Sequence, residues 1–217
     1  MLTATVAVLG VAAAMQLIVY TLLIVNRTRL LNPVLAGAAT ALSALASLAA
    51  VAVVAGYAVQ LTRWLIARRA AVFARRRLPD PRSARALRAG CLVPVLNVAW
   101  APVYVIELAA QEGQFARLRK PIVVWWLLWA VATAASVFAT ATSWAGDAQG
   151  IADNTVAMAV AYLLGLAATV AAGRVVDGFE RRPVAKPAHR WVMVAADRQQ
   201  AAKPAAVLEP DRCEPAA

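Results

Sequence analysis

The residues whose types and spacing could do chemistry fall in one apolar stretch: Pro94, Asn97, Pro102 and Glu107. A proline lacks the backbone N–H and disfavours a helical residue before it, so Pro94 and Pro102 leave backbone groups without helical partners. Near a bilayer surface such groups need protein or water, and a break of this kind can form a binding site. Asn97 lies between the prolines with a donor and an acceptor on its amide. Glu107 is the one acid close to an apolar run, where a buried carboxylate would suit proton or ligand chemistry. We favour the plainer readings, which are a structural turn packed under a helical bundle and a Glu107 that reaches an arginine in the same loop.

Little else in the chain could act. His189 is the only histidine and lies in the tail, which removes imidazole catalysis and ligation from the bundle. Cys91 and Cys213 are far apart, have no metal spacing and sit in segments read as reducing cytoplasm, so neither a metal site nor a structural disulfide is expected. No nucleophile stands beside a base. The expectation is a protein without cofactor or metal, and not an enzyme. Asn26-Arg27-Thr28 matches a glycosylation sequon but abuts an apolar run, and Ala89-Gly90-Cys91 is too internal for a lipoprotein signal.

The elements that must position these residues are set by hydropathy. Of 217 residues 62% are hydrophobic and 15% charged, and the mean hydropathy is +0.66, which excludes an ordinary soluble domain. Apolar runs of bilayer length cover about Leu2 to Val25, Val34 to Leu61, Ile122 to Ser143 and Ile151 to Val176. The first run has no charge before Arg27 and is read as a span, not a cleaved signal. Pro94 and Pro102 argue against a straight span over 90–110, where we expect a re-entrant or interfacial segment followed by a helix from near Pro102 to about Leu118.

The fold class is therefore all-α, a polytopic membrane bundle of four transmembrane helices plus a proline-broken re-entrant or interfacial segment. Residues 1–62 form a first transmembrane hairpin, 63–121 a cytoplasmic Arg-rich loop containing the 90–110 segment, 122–176 a second transmembrane hairpin, and 177–217 a cytoplasmic tail with too little to bury, expected to be disordered. Gly165, Thr169 and Gly173 repeat every four residues, a spacing that lets helices approach closely. A weaker series, Gly37, Ala41 and Leu45 with Ser43 and Ser47, lies in the second span.

Net charge is +11, and its distribution orients the chain. Arg68, Arg69, Arg75, Arg76, Arg77, Arg82, Arg85 and Arg88 follow the second span with Asp80 as the only acid among them, whereas the Trp144 to Asn154 loop has Asp147 and Asp153 and no base. By the positive-inside rule the arginines and both termini face the cytoplasm of a cell membrane, with only Arg27 and Arg29 dissenting. Arg69 and Arg76 share a face with Leu65, Val72 and Phe73, too poor an amphipathic pattern for an in-plane anchor, so an extension of the second helix is expected. The expected partners are anionic lipid headgroups at Arg68, Arg69, Arg75, Arg76 and Arg77, with a protein partner or a second copy as alternatives and no nucleic acid.

Pro94, Asn97, Pro102 and the Glu107-Leu108 pair, followed by Trp125-Trp126 at the opening of the next span, give the stretch from Gly90 to Val176 a further meaning. It resembles an actinobacterial membrane family catalogued as domain of unknown function 4328. Leu92 and Val93 stand where that family often has aromatic residues, and Ala101 where a basic residue is common. The resemblance implies multi-pass topology and offers no activity to carry over. A rival reading is a small channel or transporter with Pro94 to Pro102 as a re-entrant element, its polar lining drawn from Gln16, Gln60, Thr133, Ser136 and Thr140.

Overall fold

A computed structural model describes residues 1–144 and 146–181. Of the expected tail, 177–180 continue a helix, and residues 182–217, with His189 and Cys213, lie outside the described residues. Six helices make up the fold: α1 Leu2–Asn26, α2 Pro33–Arg75, α3 Ala84–Leu92, α4 Leu96–Gln111, α5 Phe115–Thr142 and α6 Ala148–Glu180. Among the described residues there is no strand. Helices α1, α2, α5 and α6 are long and apolar enough to cross a membrane, as expected.

Helix α2 starts cleanly because Asn32 Oδ1 accepts from the Val34 N–H at 2.9 Å and Pro33 occupies the first turn. Its 43 residues reach about 64 Å at 1.5 Å per residue, twice the hydrocarbon thickness. The apolar part ends at Leu61 and the arginine-rich part continues the same helix.

Helix α1 packs between α2 and α6, and α6 packs along α5. The face carrying Gly165, Thr169 and Gly173 is filled within the chain, with Leu9 against Gly165 and Leu2 against Gly173. A Cβ on Gly173 would stand 2.8 Å from Leu2 Cδ2, so the close approach uses the missing side chain. On α2 the buried face is Ala39, Ser43 and Ala50, not the expected Gly37 and Leu45, since Leu45 is 62% exposed. An alanine-rich helix offers small residues on every face, so spacing alone could not choose between them. Leu42, Leu48, Val51, Val131, Val137 and Phe138 are also exposed, an apolar exterior suited to lipid.

The segment around Pro94 is a short helical hairpin, α3 and α4. The helix expected from Pro102 to Leu118 runs instead from Leu96 to Gln111, and Pro102 lies inside it. An interior proline removes only the bond to the carbonyl four residues back, here that of Val98. The Trp126 indole N–H of α5 donates to that carbonyl at 2.9 Å. The third span likewise starts earlier than expected, at Phe115, and passes through Pro121.

At the hairpin tip Val93 is extended, as the residue before a proline must be, and Val95 has φ +69°. That region strains a β-branched side chain. Val93, Val95 and Leu96 at the tip are exposed and apolar, and the tip lies level with Trp126 in the apolar part of α5. The other end of the hairpin returns to the arginine-rich end of α2, where Glu107 meets Arg69. Both ends of the segment thus lie toward the basic end of the bundle, with the tip beside the apolar part of α5.

Candidate functional site

The base of the hairpin is held by one buried guanidinium. Leu65, Arg69 and Phe73 recur every four residues on α2 and are all buried, so the arginine that spoils the amphipathic pattern is the one packed inward, with its side chain 1% exposed. Arg69 forks onto Asp80, Nη2 to Oδ1 at 2.9 Å and Nε to Oδ2 at 3.1 Å, and its Nη1 donates to Glu107 Oε2 at 3.1 Å. Arg82 donates to the other Glu107 oxygen at 2.8 Å, and its backbone N–H donates to Asp80 Oδ1 at 2.9 Å. A buried arginine is tolerable only when paired in this bidentate geometry. Glu107 does reach arginines of its loop, and its partner Arg69 comes from the α2 extension.

A second fork ties α2 to α4 and α6. Arg68 donates to both oxygens of Glu112, at 2.6 and 3.0 Å, and to the Phe179 carbonyl at 2.8 Å. Arg117 of α5 donates to the Gly178 carbonyl at 2.6 Å. Two arginines therefore supply donors to carbonyls in the last turn of α6 that lack helical partners. Arg76 is engaged with Gln111. Of the five arginines expected to touch lipid, Arg69 is buried and Arg68 and Arg76 are bonded within the protein, which leaves Arg75 and Arg77 exposed and outside these pairs. Local sequence could not reveal this, because Glu107 and Glu112 come from a later helix.

The Arg69 hydrogen bonds hold the Asp80 carboxyl below its usual range. A depressed carboxyl contributes stability above the unfolded pKa, about 3.9, and loses it as pH falls through the folded value. Pepsin should therefore leave the Leu78 to Leu96 segment intact down to about pH 4 and cut it progressively below. Asp80→Asn should already be cut at pH values where the wild type resists. Identical pH profiles for the two proteins would remove Asp80 from the anchoring role.

Asn97 faces a different environment. A partly open cavity of about 100 Å³ lies between α2, α4, α5 and α6, with Tyr57, Asn97, Ala101, Trp125, Trp129 and Ala172 in its wall. Asn97 Oδ1 is buried and has no hydrogen-bond partner among the described residues, at a cost of about 1–3 kcal/mol. Of the other hydroxyls of the wall, Thr62 donates to the Ala58 carbonyl and Thr169 to the Gly165 carbonyl, each at 2.8 Å, and Tyr57 contributes a third. Among the described residues no charged side chain lines the cavity. Cys91 borders it as a free thiol.

The sequence motif is thus split between two places. Asn97 belongs to the cavity and Glu107 to the ion-pair cluster, while Pro94 forms the hairpin turn and Pro102 frees the carbonyl that Trp126 takes. Gln16, Gln60, Thr133, Ser136 and Thr140 are not brought to the cavity, and the last three bond back to their own helix. Asp80, Arg82, Glu112 and Tyr104 were not singled out as site residues. Asp80 had a signal, being the only acid in a run of arginines.

Four apolar helices with a hairpin entering from the basic end define an integral membrane helical bundle. The chain belongs to the family described as Domain of unknown function (DUF4328), whose sequence model matches residues 27–181. The match is wider than the Gly90 to Val176 resemblance and takes in α2 through α6. No curated protein and no solved structure matches the chain.

Proposed function

We propose that the protein is a non-enzymatic bundle of the cell membrane whose basic end, with both termini, faces the cytoplasm and holds anionic lipid headgroups. The observation that supports this reading is the charge imbalance between its two ends. Over 63–120 and 174–181 stand fourteen basic and five acidic residues, whereas the opposite end has only Arg27 and Arg29 against Asp147 and Asp153. Arg27 is bonded to Gln149 at 3.2 Å, a neutral partner that leaves its charge in place.

Position along the helices selects which bases act. Arg75 lies fourteen residues beyond Leu61, about 21 Å along α2 and well past the headgroup layer and one Debye length of about 8 Å. Arg63, Arg119, Lys120 and Arg174 are exposed where the apolar parts of α2, α5 and α6 end, at headgroup height. These four replace the Arg68 to Arg77 set as the lipid contacts. Each contributes about 1 kcal/mol beside an anionic surface, roughly fivefold in affinity.

The test is lipid retention by protein purified from nanodiscs of mixed phosphatidylcholine and phosphatidylglycerol. The wild type should retain phosphatidylglycerol preferentially, and less so as salt rises. Arg63→Gln with Lys120→Gln should remove most of the preference, and Arg75→Gln with Arg77→Gln little of it. Equal retention of the two lipids by the wild type would sink the proposal.

A further inference from the structure

We propose that the cavity beneath the re-entrant hairpin is a binding site for a membrane-soluble molecule with an apolar chain and one terminal hydroxyl, which donates its hydrogen bond to Asn97 Oδ1. The inference is separate from headgroup binding and rests on different residues. It starts from a mismatch: the amide oxygen is buried and unpartnered among the described residues, while the surrounding wall is mostly aromatic and aliphatic, with Trp125 and Trp129 from α5 and Ala168 and Ala172 from α6. An acceptor in such a place is satisfied by a molecule that brings one donor and otherwise only carbon.

The wall disfavours the other ligand classes. A water molecule needs two to four polar partners; the wall offers it the Tyr57 hydroxyl beside Asn97 Oδ1, with the Thr62 and Thr169 protons already given to helix carbonyls, so water satisfies the amide but leaves the aromatic and aliphatic wall uncovered. A phosphate, carboxylate or ammonium group would find no counter-charge among the lining residues. Size points the same way. The cavity of about 100 Å³ is smaller than one of about 150 Å³ that takes benzene in another protein, so it encloses the hydroxyl and the first few carbons, and the chain leaves by the open side. Asn97 is held in place by its position one residue inside α4, whose start is set by the Pro94 turn.

The probes are a long-chain primary alcohol carrying a photoreactive diazirine close to its hydroxyl, and the methyl ether of the same molecule, which has the same carbon content and no donor. The full chain is irradiated in phosphatidylcholine nanodiscs, which removes anionic headgroups from the experiment, and the labelled residues are mapped by mass spectrometry. The alcohol should label peptides containing Trp125, Trp129 and Ala101, with labelling by the ether about fivefold weaker, the fold-change for one net hydrogen bond. Asn97→Leu should make alcohol and ether equal, and Ala101→Phe, which places a ring in the cavity from a half-buried position on α4, should abolish labelling by both. Equal labelling of the wild type by alcohol and ether would overturn the role of Asn97 without recourse to any variant. Labelling spread evenly over the exposed faces of α2 and α5 would overturn the site itself.

Discussion

Replacing Asp80 and Glu107 together, as Asp80→Asn with Glu107→Gln, should release the α3–α4 hairpin from α2 and destabilise that region by about 3–5 kcal/mol. The magnitude follows from what remains. Arg69, 1% exposed, would keep its charge with neither carboxylate beside it, and a stranded buried charge is the expensive outcome of breaking such a pair. Either single change should cost much less, because Arg69 keeps its bidentate partner Asp80 in one case and Glu107, shared with Arg82, in the other. The double-mutant cycle is therefore strongly non-additive. Amide hydrogen exchange reports it locally: protection over 84–111 should fall by two to three orders of magnitude, about 1.4 kcal/mol for each, while α1 and the apolar part of α6 keep theirs. Additive single effects would mean that the three groups do not act as one cluster.

The second large effect is expected at Gly90. A Cβ there would lie 2.7 Å from Tyr104 Cε2, 2.8 Å from its Oη and 3.1 Å from Trp100 Cβ. The ring cannot yield easily, since Tyr104 is 4% exposed and stacked on Trp100 with centroids 6.0 Å apart. Gly90→Ala should thus cost about 1–3 kcal/mol by overpacking and open the hairpin at the point where α3 crosses α4. Gly178→Ala provides the contrast. Its Cβ would meet one atom, Leu118 Cδ2 at 2.6 Å, the end of an aliphatic side chain that is itself 2% exposed, so a single rotamer change is required where Gly90→Ala must move a ring and a second side chain. Thermal denaturation in detergent, read through loss of a folded-state signal, should rank Gly90→Ala well below Gly178→Ala. The reverse order would show that the hairpin tolerates separation.

These effects belong to different scales of the molecule. The ion-pair cluster fixes where the hairpin starts and ends, and Gly90 fixes how closely its two helices lie. Both act on the position of Asn97, since α4 carries Asn97 and Glu107 on one rigid element. Loosening the base should therefore also disturb the cavity some turns away.

What the amino-acid sequence determined alone was the set of apolar helices and which of their ends carry the basic charge. Runs such as Leu2 to Val25 and Ile151 to Val176 have no alternative to lipid, and unbalanced arginines mark one end whatever the packing. The proline at 94 likewise announced a break, because a missing N–H is a local fact. The tertiary structure alone decided the rest. A proline does not say whether a helix stops at it or passes through, and here Pro102 stays inside α4 because a Trp126 side chain from the next helix satisfies the Val98 carbonyl. Nor does an arginine say whether it faces lipid or core. Arg69 and Arg75 have similar neighbours in sequence, and only the arrival of Asp80 and Glu107 from two other segments makes it possible to bury the first while the second stays in solvent. Burial of a charge depends on partners brought from a distance, and that is information the local pattern does not contain.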